Sequence, residues 1–237
     1  MNYLIFRGVS TESLDGVYIS QMPSHKKASM RSAEYYVKGR DGALHVDEGY
    51  ANFDLTVRLV LVNGSATARQ IVNAWADGTG KLISSDNPSL AYMASVKSEV
   101  RWKRVLGNKR GQGENGYFDT AEITFNCQPF MYEAVDSVVD LTESGVLVNP
   151  GSADAYPLIC VEGSGTVEFD FAGYPITINN METGVPVYID CENGYVYNPS
   201  GATTMTGEIP KLDLGSNAIT FTQGVTKMTI TPHWRWV

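Results

Sequence analysis

The sequence predicts an all-β chain of two domains, built as β-sandwiches or barrels, and three observations carry that expectation. Apolar residues recur at every second position in several separate runs, turn residues interrupt those runs at short intervals, and 237 residues exceed what one small sandwich needs. The expected division is 1–133 and 134–237, with the junction between Tyr132 and Gly145. A single segment has a helical period and belongs to the first domain.

The clearest strand is Phe53, Leu55, Val57, Leu59 and Leu61, which alternate with Asp54, Thr56, Arg58, Val60 and Val62 and give one strongly apolar face. The helix follows between Ser65 and Gly78. Ser65 is placed to cap it, Ala68, Ile71, Val72 and Trp75 fall at i, i+3, i+4 and i+7, and Gly78 is placed to end it. One apolar stripe on a lone helix needs a sheet to cover it, so Trp75 should lie against the first β layer. From Lys97 to Tyr117 the pattern is that of a projecting β-hairpin, with Val96, Val100, Trp102 and Val105 set among charges and a glycine-rich tip from Gly107 to Gly116.

Period-2 runs return at Ala121, Ile123, Phe125 and Cys127, at Val167, Phe169 and Phe171, and at Val187, Ile189 and Cys191. Asn63-Gly64, Gly163-Ser164-Gly165, Asn193-Gly194 and Pro199-Ser200-Gly201 read as turns between strands. At the C-terminus Trp234 and Trp236 should share the buried face of a last strand, alternating with His233 and Arg235.

Composition narrows the function classes. With 43% apolar and 19% charged residues the chain is ordinary for a globular protein, and no apolar run approaches the ~18 residues of a membrane span. The first residues lack the pattern of a secretion signal. Cys127, Cys160 and Cys191 are far apart and form no CxxC pair, so neither a disulfide framework nor a zinc site is expected, and a reducing cytosol suits the chain. Residues 1–133 hold 15 Lys and Arg against 14 Asp and Glu, whereas the remainder hold 3 against 12, so the halves carry +1 and −9 of the net −8. So acidic a half does not neutralise phosphates, and no specific nucleic-acid binding is expected.

No motif for catalysis survives inspection. Gly111 to Gly116 matches GxGxxG, but a strand rather than a helix follows it, which removes the phosphate site that gives the motif meaning. His45-Val46-Asp47-Glu48 supplies too few ligands for a metal, and GxSxG is missing. The pairs Glu168/Asp170 and Asp190/Glu192 sit two apart on polar strand faces, where solvent is the simpler partner. The expectation is therefore a non-enzyme without metal or cofactor.

Two groups of residues remain as interaction candidates. Lys97, Arg101, Trp102, Lys103, Arg104, Lys109 and Arg110 concentrate positive charge around one indole, a combination frequent at protein interfaces, although a solvated face is the commoner reason for such a run. Tyr195 and Tyr197, with Tyr174 and Tyr188 nearby in sequence, offer apolar rings with polar tips to a sugar, while strand propensity alone also accounts for them.

A series of short signatures spans the chain in order. Phe6-x-Gly8 and Gly39-Arg40-Asp41-Gly42 come first, followed by Trp75-Ala76-Asp77-Gly78 and Cys127-Gln128-Pro129-Phe130. Asn149-Pro150-Gly151, Ile189-Asp190-Cys191-Glu192, Pro210-x-Leu212-x-x-Gly215-x-Asn217-x-Ile219 and Pro232-His233-Trp234-Arg235-Trp236 complete the series. In order and kind these resemble the distal tail (Dit) proteins of siphophages, with His233 where similar proteins often carry a basic residue.

The resemblance implies a first domain that closes a hexameric ring and a second, galectin-like or carbohydrate-module-like sandwich on the ring's periphery. It implies a structural hub at the virion tail tip, assembled in the host bacterial cytoplasm. The implied partners are further copies of the chain, the tail-tube protein, the tail-associated lysin or fibre hub, and the receptor-binding protein. A carbohydrate-binding adhesin module and a tail-tube protein are the competing readings.

Overall fold

The computed structural model describes residues 2–24, 26–62, 65–97, 99–106 and 117–237. The chain forms two compact units, Met1–Ala134 together with Val237, and Val135–Trp236. The Asn63-Gly64 turn, the Gly107–Gly116 hairpin tip, the GxGxxG match, Lys109 and Arg110 lie outside the described residues.

The first unit contains β1 (Leu4–Phe6), β2 (Val9–Ser10), a short 3-10 turn at Thr11–Ser13, β3 (Val17–Gln21), β4 (Met30–Tyr35), β5 (Leu44–Tyr50), β6 (Phe53–Val62), α1 (Ala66–Trp75), β7 (Thr79–Ser84), β8 (Asn87–Val96), β9 (Arg101–Leu106) and β10 (Tyr117–Glu133). One antiparallel sheet runs β2-β1-β7-β8-β10-β6-β3. β10 pairs β6 along one edge, from Phe118↔Val62 to Cys127↔Phe53; its other edge is shared by β9 and β8 in succession.

The expected period-2 faces are the core: Leu55, Val57, Leu59 and Leu61 of β6 and Ala121, Ile123, Phe125 and Cys127 of β10 are buried. Each such large side chain contributes about 1.5–3 kcal/mol on burial. The sheet folds over itself, because the rings of Phe6 on β1 and Phe125 on β10 lie 5.1 Å apart although two strands separate theirs in the pairing order. In a flat sheet that separation would be roughly 14 Å. The helix closes the core as expected. Ser65 Oγ accepts from Ala68 N at 3.0 Å, Val72 and Trp75 are buried, and Trp75 stacks edge-on against both phenylalanines. It ends at Trp75, before Gly78, with the Ala76 N–H bonded to the Val72 carbonyl.

The second unit contains β11 (Val139–Leu141), β12 (Gly145–Asn149), β13 (Leu158–Phe171), β14 (Tyr174–Met181), β15 (Val187–Asp190), β16 (Tyr195–Asn198), β17 (Gly201–Ala202), β18 (Gly215–Thr231) and β19 (Arg235–Trp236). The long strands β13 and β18 pair with each other throughout and belong to two layers. At one end they carry β11 on one side and β15, β16 and β17 on the other, and at the opposite end β12 and β14.

Both long strands bend where the register shifts between Glu162 and Phe169. Gly163-Ser164-Gly165, expected as a chain reversal, is instead this bend inside continuous β13. The reason is close backbone approach: a Cβ on Gly163 would stand 2.4 Å from the Gly224 carbonyl oxygen, and one on Gly224 2.5 Å from that of Thr166. Val167, Phe169, Phe171, Val187, Ile189 and Cys191 all point into the core formed between the layers.

Three of the distant signatures meet in one structural knot. Asn149 accepts from the Gly151 N–H at 2.8 Å and donates to the Ala153 and Leu212 carbonyls, while Ser152 N–H donates to the Arg235 carbonyl. Asn217, also buried, bonds both backbone groups of Asp213 and so locks the turn into β18. The terminal Trp strand is shorter than expected, because His233 adopts φ +52° and breaks the alternation. Trp234 is buried all the same, and Trp236 packs half-buried against the same core.

Candidate subunit interface

The basic run from Lys97 to Arg104 is divided by the pleat of β9. Trp102↔Ala121 and Arg104↔Asp119 pair on the core side, whereas Arg101↔Glu122 and Lys103↔Thr120 pair on the solvent side. Trp102 is half-buried and donates from Nε1 to Asn73 Oδ1 on α1 at 2.9 Å. Arg104 holds the buried Asp119 by two bonds of 2.9 and 3.3 Å and lies over the Tyr117 ring, and Arg69 approaches the same carboxylate at 3.7 Å. The hydrogen bond to Asp119 raises the Arg104 pKa further. Lys97 pairs with Asp54 at 2.6 Å, and that bond, with one from Asn126, holds the Asp54 carboxyl below the usual range.

Arg101 and Lys103 remain, exposed and without an ion pair to any described residue. Lys97, Trp102 and Arg104 are thus bonded to other residues of the same unit, and Arg101 and Lys103 face outward. The described strands of the hairpin are integral to the sheet, since Phe118 to Glu122 pair on both sides.

A second surface was not anticipated. β4 and β5 form a two-stranded ribbon outside the main sheet. Tyr35↔Leu44 and Ala33↔Val46 stand on one face, while Glu34↔His45 and Ser32↔Asp47 stand on the other, with His45 3.5 Å from Glu34. The apolar face is uncovered: Tyr35 is 55% exposed, Leu44 36% and Val46 48%. A ribbon of two strands is marginal in water by itself, and the apolar side of this one stays open to solvent. The sequence signal existed as two short alternations around Gly39-Arg40-Asp41-Gly42.

In the second unit Tyr195 and Tyr197 join Tyr188. Tyr188 and Tyr197 stack at 5.1 Å, and Tyr195 leans on Tyr197 at 5.5 Å. The stacked pair turns one face of each ring inward, whereas Tyr195 is tilted against Tyr197 and 51% exposed. Asp190 and Asp170 serve turns: Asp190 accepts from Asn193 N and Nδ2, and Asp170 from Gly173 N.

Among the described residues no three His, Cys, Asp or Glu side chains group as metal ligands, and no helix is long and apolar enough to cross a membrane. Cys127 and Cys191 are small core residues whose thiols burial pushes up to about 12, which leaves them protonated near neutrality.

No family model matches the chain, and no curated protein sequence does. Solved structures do. The crystal structure of the SPP1 Dit (gp 19.1) protein, described as a paradigm of the hub adsorption apparatus in phages infecting Gram-positive bacteria, matches with a TM-score of 0.73 at 16% identity, covering 100% of both chains. A chain of the phage p2 baseplate in its activated conformation with Sr matches with a TM-score of 0.45 at 10% identity over 97% of this chain and 98% of that one. The fold of this chain is therefore that of the SPP1 protein from end to end.

Proposed function

We propose that this chain is a structural hub subunit of a siphophage tail tip. The observation that carries the reading is the single fold shared with the SPP1 hub protein over the full length of both chains. In this reading residues 1–133 close a hexameric ring and residues 134–237 stand at its periphery. The ring joins the tail-tube protein to the tail-associated lysin or fibre hub, and the peripheral domains carry the receptor-binding protein.

The uncovered arm supports the ring half of the proposal, because a ring needs one surface on each copy that meets a different surface on the next. Arg101 and Lys103 supply outward positive charge on the same unit and would steer assembly more than hold it. In the second unit the reading assigns the tyrosines to docking rather than glycan capture, since Tyr188 and Tyr197 each turn one ring face to the other. No catalytic step is assigned.

The test is negative-stain electron microscopy of the purified chain mixed with tail-tube protein and with lysin or fibre hub from the same phage. Rings that cap tube ends on one side and bind the second partner on the other are the expected result. Tubes made of this chain alone would favour the tail-tube reading, and isolated chains that bind only glycans would favour the adhesin.

A further inference from the structure

We infer that the arm's receptor is the groove between α1 and the Leu14–Val17 segment of a second copy of this chain. The inference rests on the ring reading and names the surfaces that make it.

The groove has about 210 Å³ of space and is lined by Leu14, Asp15, Val17, Ala68, Ile71 and Val72. Its apolar rim is open: Ile71 is 51% exposed on an otherwise amphipathic helix. Ile71 thus carries the apolar lining out to the surface, with Ser65 and Thr67 beside Asp15 as the polar part of the same lining. That space suits one large side chain rather than a whole ribbon, and the arm's outer half presents Tyr35 beside Leu44 on one face.

Charge agrees with the pairing. The arm's tip carries Lys38, Arg40 and Asp41, all exposed and net positive, and the groove carries the exposed Asp15 with Glu12 close by in sequence. None of Lys38, Arg40 and Asp15 has an ion pair with a described residue. Docking would bring opposite free charges together around an apolar contact, the arrangement of a specific interface.

Placement decides for a second copy. The arm is rooted beside Phe53, where Ala51 N–H donates to the Ser29 carbonyl, Tyr50 meets Phe130 at 5.6 Å and Asn52 bonds Asn126. The groove sits at the far end of β6, where Val17 pairs Leu61, Val62 N–H bonds the Gly16 carbonyl, and Ser65 opens α1. Arm root and groove are thus separated by the length of β6, roughly 30 Å. Two different, complementary surfaces at opposite ends of one unit make a head-to-tail contact, and repeated head-to-tail contacts fill every arm and every groove in a ring where the rotation from copy to copy closes, and run on as a filament where it does not.

The test uses the full chain and its mass by light scattering over a concentration series. Ile71→Asp places a carboxylate in the groove at an exposed helix position. It should leave circular dichroism unchanged and raise the concentration for half-assembly by at least about tenfold. Arg40→Asp and Asp15→Arg should each weaken assembly, and the two changes combined in one chain should restore it. Assembly of Ile71→Asp at the wild-type concentration, or no restoration in the double variant, would overturn the inference while leaving the ring reading standing. A wild-type chain that stays monomeric throughout would overturn both, and loss in Ile71→Asp of binding to tail-tube protein alone, with rings intact, would assign the groove to that partner and overturn the inference.

Discussion

Phe6 and Phe125 meet edge to face at 5.1 Å from strands that are not neighbours, and Trp75 touches both rings. This contact joins β1 and β10, which two strands separate in the curled sheet, to the helix that closes it. Phe125→Ala should therefore destabilise the first unit by about 3–5 kcal/mol. A double-mutant cycle with Phe6→Ala should give a coupling of about 0.5–1.5 kcal/mol. Additive losses in urea unfolding would mean that the rings do not act on each other.

Gly163 and Gly165 lie two residues apart in the bend of β13 and should respond differently. A methyl on Gly163 meets the Gly224 carbonyl and a Val167 methyl, both under 3 Å, whereas one on Gly165 meets nothing within 4 Å. Gly165→Ala, at φ +70°, should cost only about 1–2 kcal/mol of backbone strain. Gly163→Ala forces backbone apart and should cost clearly more. Denaturant midpoints of the second unit decide, and equal losses would contradict the bend described here.

Trp234 is buried in the second core with 6% of its surface exposed. Trp234→Ala should cost about 3–5 kcal/mol and expose the second unit to proteolysis while the first stays resistant. Equal resistance of both units in the variant would count against this.

Asp54 gives the first unit a modest acid sensitivity. Its folded pKa lies below the unfolded value of about 3.9, so its contribution is present above that value and is lost as pH falls through the folded pKa. Both partners are substantially exposed, with side chains 54% and 39% accessible for Lys97 and Asp54, so the effect is small and salt-sensitive. Between about pH 5 and pH 3 the wild-type urea midpoint should fall further than that of Asp54→Asn, and the gap should narrow in high salt. Parallel curves would remove the Lys97 bond as its cause.

What the sequence disclosed followed from one-sided burial. β6, β10 and β15 each bury one face, so their alternation is written in residue type, and Ser65 with the Ala68–Trp75 stripe marks α1 in the same way. The arm was harder to see, because its apolar face has only two residues per strand and lies uncovered. Gly163 reads as a turn because glycine serves reversals and bends alike, and only the partner strand at Gly224 distinguishes them. Asp119 sits in the apolar phase of β10, and the arginines that justify it, Arg104 and Arg69, come from separate elements. For that reason Arg104 looked free in the basic run when it is committed to the fold.

The same distinction selects the variant that tests the outward charge. Arg104→Glu would set a carboxylate against buried Asp119 and disturb folding, whereas Arg101→Glu with Lys103→Glu alters only the solvent face. The double variant should fold normally and assemble more slowly at low salt, with the difference vanishing as salt rises. Unchanged assembly kinetics would remove β9 from the interface.

A chain built to close a ring of its own copies must show that ring's mass in solution when purified. Light scattering combined with negative-stain images should show one closed hexameric species, with the arm and groove variants reduced to folded monomers. Open tubes of indefinite length, or a wild-type chain that remains monomeric up to the highest soluble concentration, would contradict it.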